Sequence, residues 1–186
     1  MQAEVSTKKF TVDDYYRMAE VGIIGPEERV ELIDGQIVQM SPRGIRHIAA
    51  THRANTLFTE ALGRRVIVSV QNPLRLDRFN EPQPDIIILK PQRDFYASRN
   101  SGPEDASLVI EISDTSLSYD RKVKIPHYAA KRVAEVWIEN LKDDVLLVYR
   151  DPARGTYNTN LTLRRGDTVS PVALSDVVFK VEDLLP

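Results

Sequence analysis

The sequence predicts an α/β (α+β) domain with a central mixed β-sheet flanked by helices, an N-terminal β-hairpin and a C-terminal β-meander. Three observations carry that class. Apolar segments of strand length alternate with amphipathic helical stretches. Asp85–Leu89 is apolar on both faces beyond its first residue, as an interior strand covered on two sides must be. The order of elements (helix, two strands, helix, strands, helix, strands) suits neither a bundle nor a sandwich. With 186 residues, the chain fits one domain over 1–186, with a core over about 29–140 and a β extension over 141–186.

The elements follow from local signals. Thr11-Val-Asp-Asp14 has the form of a capping box, which starts a short helix through about Glu20, closed by Gly22 and Gly25. Asp34-Gly35, between Arg29–Ile33 and Gln36–Met40, is the preferred dipeptide of a two-residue type I′ turn. That turn sets Ile33 opposite Gln36, Leu32 opposite Ile37 and Glu31 opposite Val38. Glu31 then shares a face with Ile33, Val38 and Met40, unusual company for a carboxylate. An edge hairpin with one solvated face explains this; so does a carboxylate held in place for a purpose.

After Pro42-Arg-Gly44, the residues Ile45, Ile48, Ala49, His52, Leu57 and Leu62 form a helical stripe ending near Leu62. Arg43, Arg46, His47 and Arg53 crowd the start of this helix, and Arg64 and Arg65 follow it. Such a basic concentration suits a solvated face or a phosphate-facing patch. Val66–Val70 reads as a strand, and Pro73–Leu76 as another short one. Asp85–Leu89 and Ser107–Ser113 are strands, joined by a polar surface loop over residues 91–106. A second helix spans about Asp120–Arg132, its first turn disturbed by Pro126. Ala134–Glu139, Val145–Arg150 and Thr156–Leu163 complete the strands, and Val181–Leu185 gives a last helical turn.

Composition narrows the chemistry. Hydrophobic residues make up 42% and charged residues 28%, close to the average for soluble globular domains. The absence of cysteine excludes a disulfide scaffold, an iron–sulfur centre, a thiolate zinc site and a cysteine nucleophile. His47, His52 and His127 leave little material for an imidazole-built metal site. With a net charge of −2, nucleic-acid binding needs a local basic patch. No apolar run has the length of a membrane span, and Met1–Lys9 lacks the apolar core of a signal peptide. A soluble, cytoplasmic protein without membrane contact is the expectation.

Two acids interrupt apolar strands. Asp85 opens one directly after Pro84, and Glu111 lies on the other between Val109 and Ser113. A buried carboxylate is costly unless it is paired, hydrogen-bonded or metal-bound. If the strands are neighbours, both acids can enter one cleft and bind a hard divalent cation such as Mg²⁺, which takes oxygen ligands and keeps waters. Taken singly, Asp85 is explained as a strand-entry residue and Glu111 as an ion-pair partner. Lys124 and Tyr128 share a helix face at i,i+4, where a lysine can offset carboxylate charge or orient a water; an exposed basic face is the alternative.

The series Glu31-Leu-Ile-Asp-Gly35, Met40-Ser-Pro42, His47, Pro84-Asp85, Val109-Ile-Glu-Ile-Ser113, Asp120-Arg121, Lys124, Tyr128 and Glu135-Val-Trp-Ile138 resembles a known family. That family is the Uma-two-like restriction-endonuclease-like proteins, a branch of the PD-(D/E)XK nuclease superfamily. The resemblance runs from about Arg29 to Asn140. It implies a restriction-endonuclease-like core and a Mg²⁺-dependent endodeoxyribonuclease, with Mn²⁺ as a substitute ion. By position it implies Asp85 and Glu111 as metal ligands and catalytic acids, the Ile112 carbonyl as a further ligand, and Glu31 as an acid completing the site.

The superfamily's lysine two residues after the acid is replaced here by Ser113, and Lys124 on the following helix matches it. Val136 stands where the family more often has Tyr. Arg43, Arg46, His47, Arg53 and Tyr128 are the candidate substrate contacts, and Trp137 is expected in the core. The partner implied is nucleic acid, chiefly DNA, and a homodimer suits an enzyme that cuts two strands. Two other functions fit the same residues. One is a nuclease-fold module that binds or assembles without cutting. The other is a metal-dependent hydrolase of a small phosphorylated substrate, which needs a closed pocket.

Overall fold

A computed structural model describes residues 7–186, so the Met1–Lys9 reading lies outside it as far as residue 6. Helix α1 (Val12–Glu20) begins with the expected reciprocal cap: the Asp14 amide donates to Thr11 Oγ1, and the Thr11 amide donates to Asp14. Strands β1 (Val30–Ile33) and β2 (Gln36–Gln39) pair in the register that the Asp34-Gly35 turn dictates. Both turn residues have positive φ, 52° and 71°. A Cβ at Gly35 would stand 2.6 Å from Lys9 Cβ, so this turn requires glycine. All four residues of β1 are buried, which removes the solvated-face explanation of Glu31.

The central sheet has strand order β3-β4-β5-β6-β7-β8. Its members are β3 (Ile67–Val70), β4 (Ile86–Leu89), β5 (Ala106–Ser113), β6 (Glu135–Asn140), β7 (Val145–Ala153) and β8 (Thr156–Leu163). Only β5 and β6 run parallel; every other pairing in this sheet is antiparallel. A parallel pair needs a crossover, and the segment between these strands supplies a helical one. It consists of α3 (Leu117–Tyr119), a π-helical turn (Asp120–Lys124) and α4 (Ile125–Ala130). Pro126 lies in the first turn of α4, where its missing N–H costs least.

Each sheet face is covered. Helix α2 (Ile45–Leu62) packs Ala54, Phe58 and Leu62 against Ile86, Ile88, Ile110 and Trp137. A small hairpin, β9 (Thr168–Val169) with β10 (Phe179–Lys180), and helix α5 (Val181–Leu184) close the same core. Phe58, Trp137 and Phe179 form its aromatic centre, with centroid separations of 4.9 to 6.3 Å. The other face buries Ile87, Val109, Val136 and Ile138 beneath Ile125, Tyr128 and Ala129. Trp137 is therefore a core residue, as expected. No described helix is long and apolar enough to cross a membrane.

Two expectations need correction. Helix α2 faces the sheet with Ala50, Thr51, Ala54, Phe58 and Leu62, whereas Ile45 is 87% exposed and Ile48 42%. Small residues let the helix approach the sheet closely, so the larger isoleucines do not mark the inner face. Pro73–Leu76 forms no strand. Its amides instead reach single carbonyls, Leu74 to Pro82 and Leu76 to Asn80, which ties an extended loop to residues 77–82.

Phe58→Ala should destabilise the domain by about 3–5 kcal/mol, because it opens a cavity in the aromatic centre. Urea unfolding monitored by Trp137 fluorescence measures this; a loss below about 1 kcal/mol contradicts the packing described.

Candidate active site

The sheet topology brings the acids together. Because β4 runs antiparallel to β5, the residue entering β4 lies at the same end of the sheet as the last residues of β5. Ile86 pairs with Ile110, so Asp85, one residue earlier, comes level with Glu111. Both line one cleft of about 500 Å³ together with Glu31, Asp120 and Lys124. The strand-entry and simple ion-pair explanations do not cover this convergence.

Lys124 sits at the centre, buried, with Nζ 3.3 Å from Glu31 Oε2 and 3.2 Å from Glu111 Oε1. Each carboxylate is further fixed. Glu111 Oε1 accepts the Tyr128 hydroxyl at 2.6 Å. Glu31 accepts the Gln83 amide at 3.0 Å and the Tyr119 hydroxyl at 3.0 Å. Asp120 accepts the hydroxyls of Ser113 and Ser116, both at 2.6 Å. Ser113, two residues after Glu111, thus anchors an acid of the lysine-bearing turn. π-turns recur at functional sites because the extra residue re-aims the side chains around it. This one lies where Asp120 and Lys124, both buried, enter the cleft.

Asp85 is held from the opposite side. Its Oδ2 accepts the Ile112 amide at 2.9 Å and lies 3.1 Å from His47 Nε2. Thr51 Oγ1 lies 3.5 Å from the other ring nitrogen of His47 and donates to the His47 carbonyl at 2.9 Å. Burial opposes ionisation of Asp85, yet the His47 and Ile112 contacts and the Lys124 charge hold its carboxyl below the ordinary range. Glu111 behaves oppositely. Its complete burial, only partly offset by Lys124, pushes its carboxyl well up. Burial alone would depress the Lys124 ammonium, but Glu111, Glu31, Asp120 and Asp85 together raise it, so Lys124 stays charged.

Among the described residues, no three His, Asp or Glu side chains stand close enough together to hold a metal ion. The donor chemistry nevertheless fits a hard divalent cation. Glu31, Asp85, Glu111 and Asp120 bring four carboxylates, hard oxygen donors, to the cleft, opposed by Lys124 and His47. Mg²⁺ needs few protein ligands because it retains waters.

Arg43, His47, Ile112 and Asp114 line the cleft, whereas Arg46 and Arg53 are not among its lining residues. Arg46 donates to the Leu141 carbonyl at 2.8 Å and lies 3.6 Å from Asp114, which pins the start of α2 to the end of β6. Tyr128 is buried behind Glu111 and supports that acid from the core side. Glu135 is structural: it accepts from Trp137 Nε1 at 2.7 Å, Arg150 Nε at 2.7 Å and the Val172 amide at 2.6 Å.

Two residues escaped the sequence reading. Arg29 lines the cleft beside Glu31. Glu139 in β6, paired with Ile112, is fully buried, and neither carboxylate oxygen has a protein partner. Burial first, then the charge of Asp85, pushes its carboxyl well above the ordinary range. The signal was present in the sequence, as an acid inside Val136–Asn140.

A family model named Uma2, described as "Putative restriction endonuclease", matches residues 12–182. The fold is also that of a crystal structure of a "putative nuclease belonging to DUF820" from Anabaena variabilis, with a TM-score of 0.69 and 17% identity. That likeness covers 94% of this chain and 97% of the other. No curated protein matches the chain.

Lys124→Met should cost about 3–5 kcal/mol of stability at pH 8, since it leaves Glu31 and Glu111 as buried charges without a cation. The deficit shrinks as falling pH protonates Glu111, whose carboxyl burial already pushes up; a deficit equal at pH 8 and pH 4.5 in urea unfolding contradicts the ion cluster. Glu139 carries the reverse test. Its folded-state carboxyl titrates above the unfolded-state value, so wild type loses stability as pH rises through that interval. Glu139→Leu should therefore be more stable than wild type by about 1–3 kcal/mol at pH 8 and indistinguishable near pH 4. Thermal melts across that range check it, and a destabilised variant at pH 8 refutes it.

Proposed function

This chain belongs to the Uma2 family, and from that premise we propose that it is a metal-dependent nuclease hydrolysing phosphodiester bonds of nucleic acid, DNA foremost. The observation that supports this best is the meeting of Asp85, Glu111 and Lys124 in one cleft at one end of the sheet. Asp85 and Glu111 are the residues that would hold Mg²⁺ or Mn²⁺, with Glu31 and the Ile112 carbonyl as further oxygen donors. The chemistry such an ion supplies is polarisation of a phosphate oxygen and acidification of water.

The protein's own groups divide the remaining work. His47 and the Ile112 amide fix Asp85 in one orientation and keep it ionised. Tyr128 does the same for one oxygen of Glu111. Lys124, kept protonated by its acidic neighbours, donates hydrogen bonds and positive charge toward the oxygen that gains charge during attack. It cannot also be the base that takes the proton from water while it remains an ammonium. Glu31 holds the inner side of Lys124, and that explains a carboxylate in a fully buried strand.

Asp85→Asn and Glu111→Gln should each reduce Mg²⁺-dependent cleavage of supercoiled plasmid and single-stranded DNA to background while the circular dichroism spectrum is retained. Cleavage undiminished in both variants refutes the site. No cleavage by wild type in Mg²⁺ or Mn²⁺ favours a non-cutting binding module instead.

A further inference from the structure

Among the described residues six arginines are ion-paired: Arg46, Arg65, Arg75, Arg99, Arg150 and Arg165. Arg29 and Arg43 are among the arginines without an ion pair, and they are set apart by place: they are the arginines that line the carboxylate cleft. Arg29 donates from Nη1 to the Ser41 carbonyl at 2.8 Å, and its Nη2 lies 3.9 Å from Met40 Sδ. These contacts fix the guanidinium without neutralising it. Arg43 Nε is buried and finds no partner in the protein. Burial and then the charge of Arg29 make the Arg43 guanidinium less basic, against the opposing charge of Asp85.

Their position is the second observation. Besides the carboxylate cleft, a cavity beside Tyr15, Tyr16 and Glu81 and another beside His52, Asn55 and Val70 open on this side of the molecule. Arg29 and Arg43 line all three. An extended ligand running from either neighbouring cavity to Asp85 and Glu111 crosses walls to which both arginines contribute. Two like charges drawn together, one with a buried donor unmet, are relieved by an anion between them. A guanidinium presents its donors in a planar fork that matches phosphate oxygens.

We propose that Arg29 and Arg43 form a phosphate-binding subsite that grips a backbone phosphate of the bound strand, distinct from the phosphate presented to Asp85 and Glu111. The identity of the strand rests on the nuclease reading; the affinity for an anion rests on the arginine pair alone. Arg43 is the decisive member, because Arg29 also ties β1 to the chain beyond β2 through Ser41.

The test is fluorescence anisotropy of labelled single-stranded and duplex oligodeoxynucleotides in EDTA across a salt series, with calorimetric titration of inorganic pyrophosphate alongside. Arg43→Gln should weaken oligonucleotide binding about 10-fold and lower the salt slope by about 0.7–0.9, the loss of one phosphate contact. Arg43→Lys should recover part of the affinity, and the melting temperature should be unchanged in both. Equal affinity and equal slope in wild type and Arg43→Gln overturn the subsite and leave the nuclease reading standing. Pyrophosphate binding that depends on Arg43, in a protein that binds no oligonucleotide, supports the subsite and overturns the strand. No binding of either probe by wild type overturns both.

Discussion

A single buried ammonium governs this architecture. Glu31, Asp85, Glu111 and Asp120 gather at one end of the sheet and face one cleft, and such a gathering of acids is unfavourable without a cation. Lys124 meets Glu31 and Glu111 directly and carries the field of the other two. Three segments far apart in sequence, the hairpin, strand β5 and the crossover helix, are fastened at this one group. A buried ion cluster of this kind is weak evidence for stability as such, since apolar residues of equal size would pack at less cost.

The position of Lys124 follows from connectivity. β5 and β6 are the one parallel pair of the central sheet, so the chain must cross over between them. The crossover helix lies on the face that bears Glu111, and its π-turn places Asp120 and Lys124 in the cleft. The lysine does not stand beside the acid along β5, and Ser113 in that place binds Asp120 instead. On the opposite face, α2 contributes His47 to Asp85. The two acids, level across β4 and β5, are thus steadied by helices from opposite layers.

Much of this was legible in the residues, and the reasons are local. A two-residue Asp-Gly turn leaves one register, so the placement of Glu31 opposite Val38 could be read directly. The capping box and the interior strand β4 were equally plain. The inner face of α2 was not, because close packing there selects Ala50 and Ala54, which carry little hydrophobic signal, while Ile45 and Ile48 face outward. Lys124 was legible as a candidate from its i,i+4 face with Tyr128 and from the family pattern, but nothing in local periodicity ties position 124 to position 31. Arg29 was hidden as the residue before a strand, and Glu139 as an ordinary polar position in one. Both become conspicuous only through what surrounds them: a second unpaired arginine in one case, a core without hydrogen-bond donors in the other.

Uptake of a divalent cation through Asp85 and Glu111 is what we propose for this lysine-steadied cleft. Titration of Mn²⁺ into the protein, followed by the loss of its free-ion paramagnetic resonance signal, tests it most directly. The account predicts saturable uptake by wild type, competed by Mg²⁺ and lost in Asp85→Asn. No uptake by wild type, or uptake unchanged in that variant, would contradict it.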